Sequence, residues 1–315
     1  ALHPDFEQNN YIYFYLTVNT NGEISNKVER YQYLNDKLVN GQVILDGITG
    51  AVYHDGGRIA FGPDGYLYIT TGDATVPDYS QQTNNLMGKI LRVTDTGQVV
   101  QGNPFGNEVY SYGHRNPQGL AWDDLGRLWS TEHGPSVTDQ GNDELNLIEI
   151  GKNYGWPVIT GTQSANGMVT PVLESTDYDT WAPADVLVYS NNYVENSGDM
   201  NQDSYEDDTN EGNSLVNDDN ENISNESNDN AGYLENDLVT VFFTGLRGEA
   251  IYKVVYQYNE VVEFNEYFKG DFGRLRTLRL GPDGYFYLLT SNTDGRGRVL
   301  EGDDKIIKLN PELFF

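Results

Sequence analysis

Four short segments gather the side chains with chemistry in them: "YHDGGR" (53–58), "GHRNPQG" (113–119), "EHGP" with the following "DELNLIEIGKNYGWP" (132–157), and "FGRLRT" (272–277). They supply an imidazole at a glycine-rich bend, several guanidinium groups, and carboxylates near a Gly-Pro turn. That set suits an anionic, oxygen-rich ligand held with a hard cation. His54 is the candidate base, because neutral imidazole is matched to proton abstraction near pH 7. Gly56 and Gly57 would let a flat ligand or the backbone come close. The plainer alternative is a histidine that bonds a turn carbonyl. Arg115 either holds an anionic ligand or pairs with a carboxylate of a neighbouring sheet. Arg274 and Arg276, at i and i+2 on an expected strand, share a face, and like charges there call for an anion between them, which favours a bound ligand over a solvated edge. Gly134 and Pro135 offer carbonyls to calcium or form an ordinary turn.

These segments are loops between strands, because the chain repeats one hairpin design. Arg58 to Phe61 and Tyr66 to Thr70 are β-prone runs around Gly62-Pro63-Asp64-Gly65, where Pro presets φ and Gly accepts a positive φ. The design returns in "QGLAWDDLGRLWST" (118–131) and "RTLRLGPDGYFYLLT" (276–290), and more loosely in residues 1–17. Gly65 and Gly126 lie 61 residues apart, which predicts a further hairpin turn near residue 187. There "WAPADVLVYS" (181–190) enters a polar tract and resumes as "DLVTVFFTGL" (237–246), so the tract reads as an inserted turn. One four-stranded sheet per period gives an all-β propeller, a single domain spanning residues 1–315.

The composition agrees, with 34 Gly, 11 Pro and 23 Tyr and no extended helical periodicity. No apolar run approaches the ~18 residues of a membrane span. The chain opens on Ala1 inside a strand-like pattern, which reads as a fragment or a trimmed chain without its targeting segment. Cysteine is absent, so disulfides and thiolate metal sites are excluded. A net charge of −29 argues against nucleic acid as a partner. Residues 191–237 carry 14 Asp or Glu and no Lys or Arg. With few apolar side chains to offset ordering entropy, residues 191–236 are expected to be a disordered insertion. Within it, Asp207, Thr209, Glu211, Gly212 and Asp218 fall near the spacing of a calcium loop, though without helical flanks.

The segments "HDGGRIAFGPDGYLYITTGD", "GKILRV" (88–93), "GHRNPQGLAWD", "EHGP", "DELNLIEIGKNYGWP" and "GRLRTLRLGPDGYFYLLT" resemble the soluble quinoprotein glucose, aldose-sugar and sorbosone dehydrogenases. The likeness spans nearly the whole chain outside the acidic tract. It implies a six-bladed β-propeller using pyrroloquinoline quinone (PQQ) and calcium; with five hairpins, this chain would lack the first blade. It further implies that His54 takes the proton of the sugar C1 hydroxyl as hydride passes to the quinone. Arg115, Asn116, Gln118, Arg274 and Arg276 would contact the quinone, and Arg247 stands where the glucose enzymes carry a quinone-contacting lysine. The carbonyls of Gly134 and Pro135 would hold the cofactor's calcium, while Glu144 and Tyr154 resemble a second, structural calcium site. Tyr53 replaces an Asp of the glucose enzymes, so the carboxylate that orients His54 is either missing or supplied by Asp55. The activity implied is oxidation of aldoses to lactones in a periplasmic or extracellular setting, with an external electron acceptor. Two other readings stay open: a quinone-free, calcium-stabilised binding module, and a metal-dependent lactone hydrolase.

Overall fold

The computed structural model describes residues 1–135, 141–189, 238–299 and 301–315, which fold as five antiparallel sheets in chain order. The first holds β1 (Tyr11–Thr20), β2 (Glu23–Leu34) and β3 (Lys37–Thr49). The second holds β4 (Ile59–Phe61), β5 (Leu67–Thr71), β6 (Lys89–Val93) and β7 (Val109–Tyr112). The third runs through β8 (Ala121–Trp122), β9 (Leu128–Glu132), β10 (Glu144–Ile148) and β11 (Leu173–Glu174). The fourth comprises β12 (Pro183–Tyr189), β13 (Val239–Gly245), β14 (Ile251–Gln257) and β15 (Glu260–Tyr267). The fifth is β16 (Leu275–Leu280), β17 (Phe286–Thr290) and β18 (Ile306–Leu309). Residues 1–190 and 238–315 cluster as one unit. The fold is thus an all-β propeller, with a correction to the blade number: the described residues form five blades, not six.

The repeated turn has one physical basis. Gly62 N–H donates to Tyr66 O (2.9 Å), Gly65 N–H closes on Gly62 O (2.9 Å), and Gly65 takes φ +77°. Residues 281–285 repeat both bonds, at 2.8 and 3.0 Å, with Gly284 at φ +77°. In each turn an aspartate accepts a tyrosine hydroxyl four residues on, Tyr68 to Asp64 (2.9 Å) and Tyr287 to Asp283 (2.8 Å). The segment 1–17 is looser: Leu2 bridges Ile12 across a single helical turn, Phe6–Asn9. The fourth-blade hairpin forms as expected, with Tyr189 paired to Thr240. The acidic insertion and its calcium-loop candidates lie outside the described residues.

Successive blades are joined by apolar clusters. Tyr13, Val28 and Ile48 of the first pack on Leu67, Leu91 and Val109 of the second. Tyr68 and Ile90 meet Leu120, Leu128 and Ile148 of the third. Trp129 and Leu145 meet Val186, Val241 and Phe243 of the fourth, and Phe242 and Ile251 meet Leu275, Phe286 and Leu288 of the fifth. Burial of this area is the main force fixing the loops at one end relative to each other. Lys89 is an exception in this core: fully buried, it donates to the carbonyls of Tyr79 (2.9 Å), Ser80 (3.2 Å) and Met87, while burial pushes its pKa down to about 7. Three carbonyls occupy its three protons, which is how the sheet tolerates an ammonium there. No helix among the described residues is long and apolar enough to cross a membrane.

Candidate active site

A cleft of about 710 Å³ brings together His54, Arg115, Asn116, Gln118, Arg274 and Arg276 from three different blades. His54 sits in the segment between β3 and β4 at φ +65°, a left-handed conformation unusual for a side chain with a Cβ. Close backbone approach holds it there. A Cβ on Gly72 would fall 1.8 Å from His54 O, and one on Gly56 would fall 2.5 Å from Thr70 O. Gly56 therefore admits the backbone of β5, while Gly57 lies against the Tyr15 ring of the first blade.

The imidazole is oriented by Asp73, at the end of β5. His54 Nδ1 lies 2.8 Å from Asp73 Oδ1, and Asp73 is fully buried. An ionised carboxylate only accepts, so Nδ1 carries the proton and Nε2 keeps a lone pair. Asp73 also accepts from Thr75 N–H (2.8 Å) and Trp156 Nε1–H (2.9 Å). This corrects the expectation for Asp55, whose Oδ1 instead accepts from Asn26 (2.8 Å) and Ala51 N–H (2.9 Å) and so ties the loop to the first blade.

The 113–118 loop is held from below by Glu132, at the end of β9. Its carboxylate accepts the main-chain N–H groups of Arg115 and Asn116 and lies 2.8 Å from His114 Nδ1. Arg115, 6% exposed, donates to His133 O (3.2 Å) and lies over the Trp156 ring. His133 Nε2 is 3.0 Å from Pro183 O, a pure acceptor, so Nδ1 is free to accept from the Asn116 amide (3.4 Å). Burial pushes the His133 pKa down to about 4, which keeps this ring neutral. Asn116 Oδ1 then accepts from Gly56 N–H (3.0 Å) and Gln118 (3.1 Å), linking the two loops.

Arg274 and Arg276 do have an anion between them, and it belongs to the protein. Asp294, in the loop between β17 and β18, accepts from Arg274 at 2.8 and 3.0 Å and lies 3.6 Å from Arg276. Arg274 is buried and Arg276 faces the cleft more openly. Arg247 is not brought in: its side chain is exposed, and the neighbouring Leu246 lines the cleft instead. Both residues lie in the bend that follows β13, and only Leu246 reaches the cleft.

Gly134, Pro135, Glu144 and Tyr154 converge on one small cavity of about 10 Å³, together with Glu132 and Thr160, where two separate calcium sites were expected. Glu144 pairs with Glu132 across the β9–β10 ladder. Burial, and next the Glu132 charge, push the Glu144 pKa up to about 8. Two buried carboxylates around a void fit a divalent cation, which would restore the charged form. Among the described residues no group of three His, Asp or Glu side chains gathers around a metal, so a cation there would need main-chain carbonyls as well.

Sequence reasoning missed Asp73, Glu132, Asp294 and Trp156. Asp73 had a signal: extending the antiparallel register Ile59↔Ile69 outward places His54 opposite Ala74, beside Asp73.

Residues 1–204 and 228–301 match the family model described as glucose / sorbosone dehydrogenase. The chain is 35% identical over 198 residues to quinoprotein glucose dehydrogenase B of Acinetobacter calcoaceticus, covering 53% of this chain and 41% of that protein. It is 29% identical over 317 residues to aldose sugar dehydrogenase YliI of Escherichia coli, covering 94% and 74%. The PQQ-bound aldose sugar dehydrogenase of Streptomyces coelicolor superposes with a TM-score of 0.76 at 34% identity, covering 98% of this chain and 77% of that one.

Proposed function

The chain belongs to the glucose / sorbosone dehydrogenase family, and on that premise we propose that it oxidises the C1 hydroxyl of aldoses to lactones, with PQQ as oxidant, calcium as structural and electrostatic support, and His54 as general base. The observation that carries this reading is the convergence of a carboxylate-oriented histidine with Arg115, Arg274 and Arg276 in one cleft.

When bound, the quinone supplies a two-electron oxidant that takes hydride from C1. The protein's part is positional and electrostatic. His54 lines the cleft with the Nε2 lone pair available, and takes the hydroxyl proton as C1 becomes the lactone carbonyl. Asp73 balances the imidazolium that results. Arg115, Arg274 and Arg276 are the groups that would hold the quinone's carboxylates and stabilise the negative charge it gains. The cavity at Gly134, Pro135, Glu144 and Tyr154 would take calcium. The reading carries with it an external electron acceptor and a periplasmic or extracellular setting. Purified protein supplied with PQQ and calcium should reduce a redox dye only when an aldose is added. Dye reduction that is absent with every aldose, while PQQ is bound, would overturn it.

A further inference from the structure

The rim of the cleft carries a cation that the quinone pocket does not account for. Arg296, in the β17–β18 loop, lines the cleft with Tyr53, and its guanidinium lies 5.3 Å from the Tyr53 ring centroid. Asp294 is fully engaged: Oδ2 serves Arg274 and Arg276, while Oδ1 accepts the main-chain N–H of Arg296 itself (2.9 Å). Among the described residues no carboxylate pairs with the Arg296 side chain. It is therefore a guanidinium held in place by its own main chain and by an aromatic face, with its charge unspent.

Depth separates this residue from the other arginines. Arg115 and Arg274 are buried, whereas Arg296 and Tyr53 are exposed, Tyr53 at 54%. Both line the cleft that holds His54, within reach of the far end of a sugar that presents C1 to the histidine. We propose that Tyr53 and Arg296 form a substrate subsite selecting aldoses that carry an anionic group remote from C1, a carboxylate or a phosphate, over neutral aldoses. The inference rests on the dehydrogenase reading. The C1–H electron pair still leaves as hydride to the quinone and the hydroxyl proton to His54, so the anionic group binds without taking part in the redox step. A charge-assisted pair at a rim of this kind corresponds to roughly tenfold in selectivity, screened by salt.

The test compares D-glucuronate, D-glucose 6-phosphate and D-glucose in two readouts on PQQ- and calcium-loaded protein: dye-linked kcat/KM, and sugar retention by saturation-transfer NMR without an acceptor. The parent should favour both anionic sugars over glucose about tenfold at low salt; a preference for one alone identifies the carboxylate or the phosphate as the recognised source. Arg296→Gln should bring the ratio near one, and Arg296→Lys should keep most of it. No turnover with any sugar defeats the dehydrogenase reading, yet retention of the anionic sugars, lost in Arg296→Gln, still supports the subsite. Equal handling of charged and neutral sugars by the parent overturns it. So does a weakened affinity for PQQ in Arg296→Gln with an unchanged sugar ratio, which assigns the guanidinium to the cofactor.

Discussion

Asp73→Asn is the sharpest probe of the proposed base. Asp73 receives three donors: His54 and Thr75 on Oδ1, and Trp156 on Oδ2. Asparagine has one acceptor oxygen, and turning it toward His54 and Thr75 satisfies two of the three. The histidine then keeps its tautomer and position, at the cost of an amide facing the indole N–H. What is lost is the counter-charge to a forming imidazolium. Unit charges about 4 Å apart interact by roughly 4 kcal/mol at an effective dielectric constant near 20. With the proton about half transferred in the transition state, roughly 2 kcal/mol is forfeited, or about 30-fold in rate. His54→Ala removes the base itself and should cost about 10² to 10⁴ fold. Steady-state kcat with a redox dye, at PQQ concentrations shown by titration to saturate each variant, reads both effects. Turnover of Asp73→Asn at the parent rate, or a loss confined to PQQ affinity, would refute the reasoning.

Three further outcomes are expected. Arg115→Ala should weaken PQQ binding more than it slows saturated turnover, because a buried guanidinium matched to a carboxylate is removed; fluorescence titration with PQQ measures it. Without calcium, Glu144 binds a proton in the folded state up to about pH 8 but only to about pH 4.3 unfolded, so that side chain's contribution to stability falls as pH rises through this window. Calcium should therefore raise the melting temperature more at pH 8 than at pH 5, and Glu144→Gln should abolish the difference. Replacing residues 191–236 with a short Asn-Gly turn should leave the melting temperature and PQQ affinity unchanged, because Tyr189 and Thr240 already pair at the end of the hairpin; a large drop in either would contradict the proposal that the tract is a dispensable insertion.

The hairpins were legible because their turns demand particular residues. A glycine at φ near +77° recurs at Gly65, Gly126 and Gly284, and two of these turns add a proline at the second position and an aspartate that receives a tyrosine. The interrupted hairpin was legible too, since β-prone runs flank the polar tract on both sides. The five blades were legible as five hairpins, while a sixth came only from resemblance. At the site, residue types pointed to His54, Arg115, Arg274 and Arg276, and the resemblance added Asn116 and Gln118; all six share the cleft. Their partners were less visible, because Asp294 and Glu132 come from other strands' ends and no local periodicity links them to the arginines and loop they hold. Reading Arg274 and Arg276 as needing an anion was right about the charge but looked to a ligand for it, where Asp294 lies between them. Arg247 shows the opposite failure, where a cation matched by resemblance is exposed and does not line the cleft.

The measurement closest to the central claim is a single turnover without any acceptor. Protein loaded with PQQ and calcium is mixed anaerobically with an aldose, while cofactor reduction is followed by absorbance and the sugar product by NMR. The account predicts one lactone formed per quinone reduced, a slower reduction with C1-deuterated sugar, and a reduction slowed by two or more orders of magnitude in His54→Ala. Bound quinone that stays oxidised in the presence of aldoses, or that is reduced at the parent rate by His54→Ala, would contradict it.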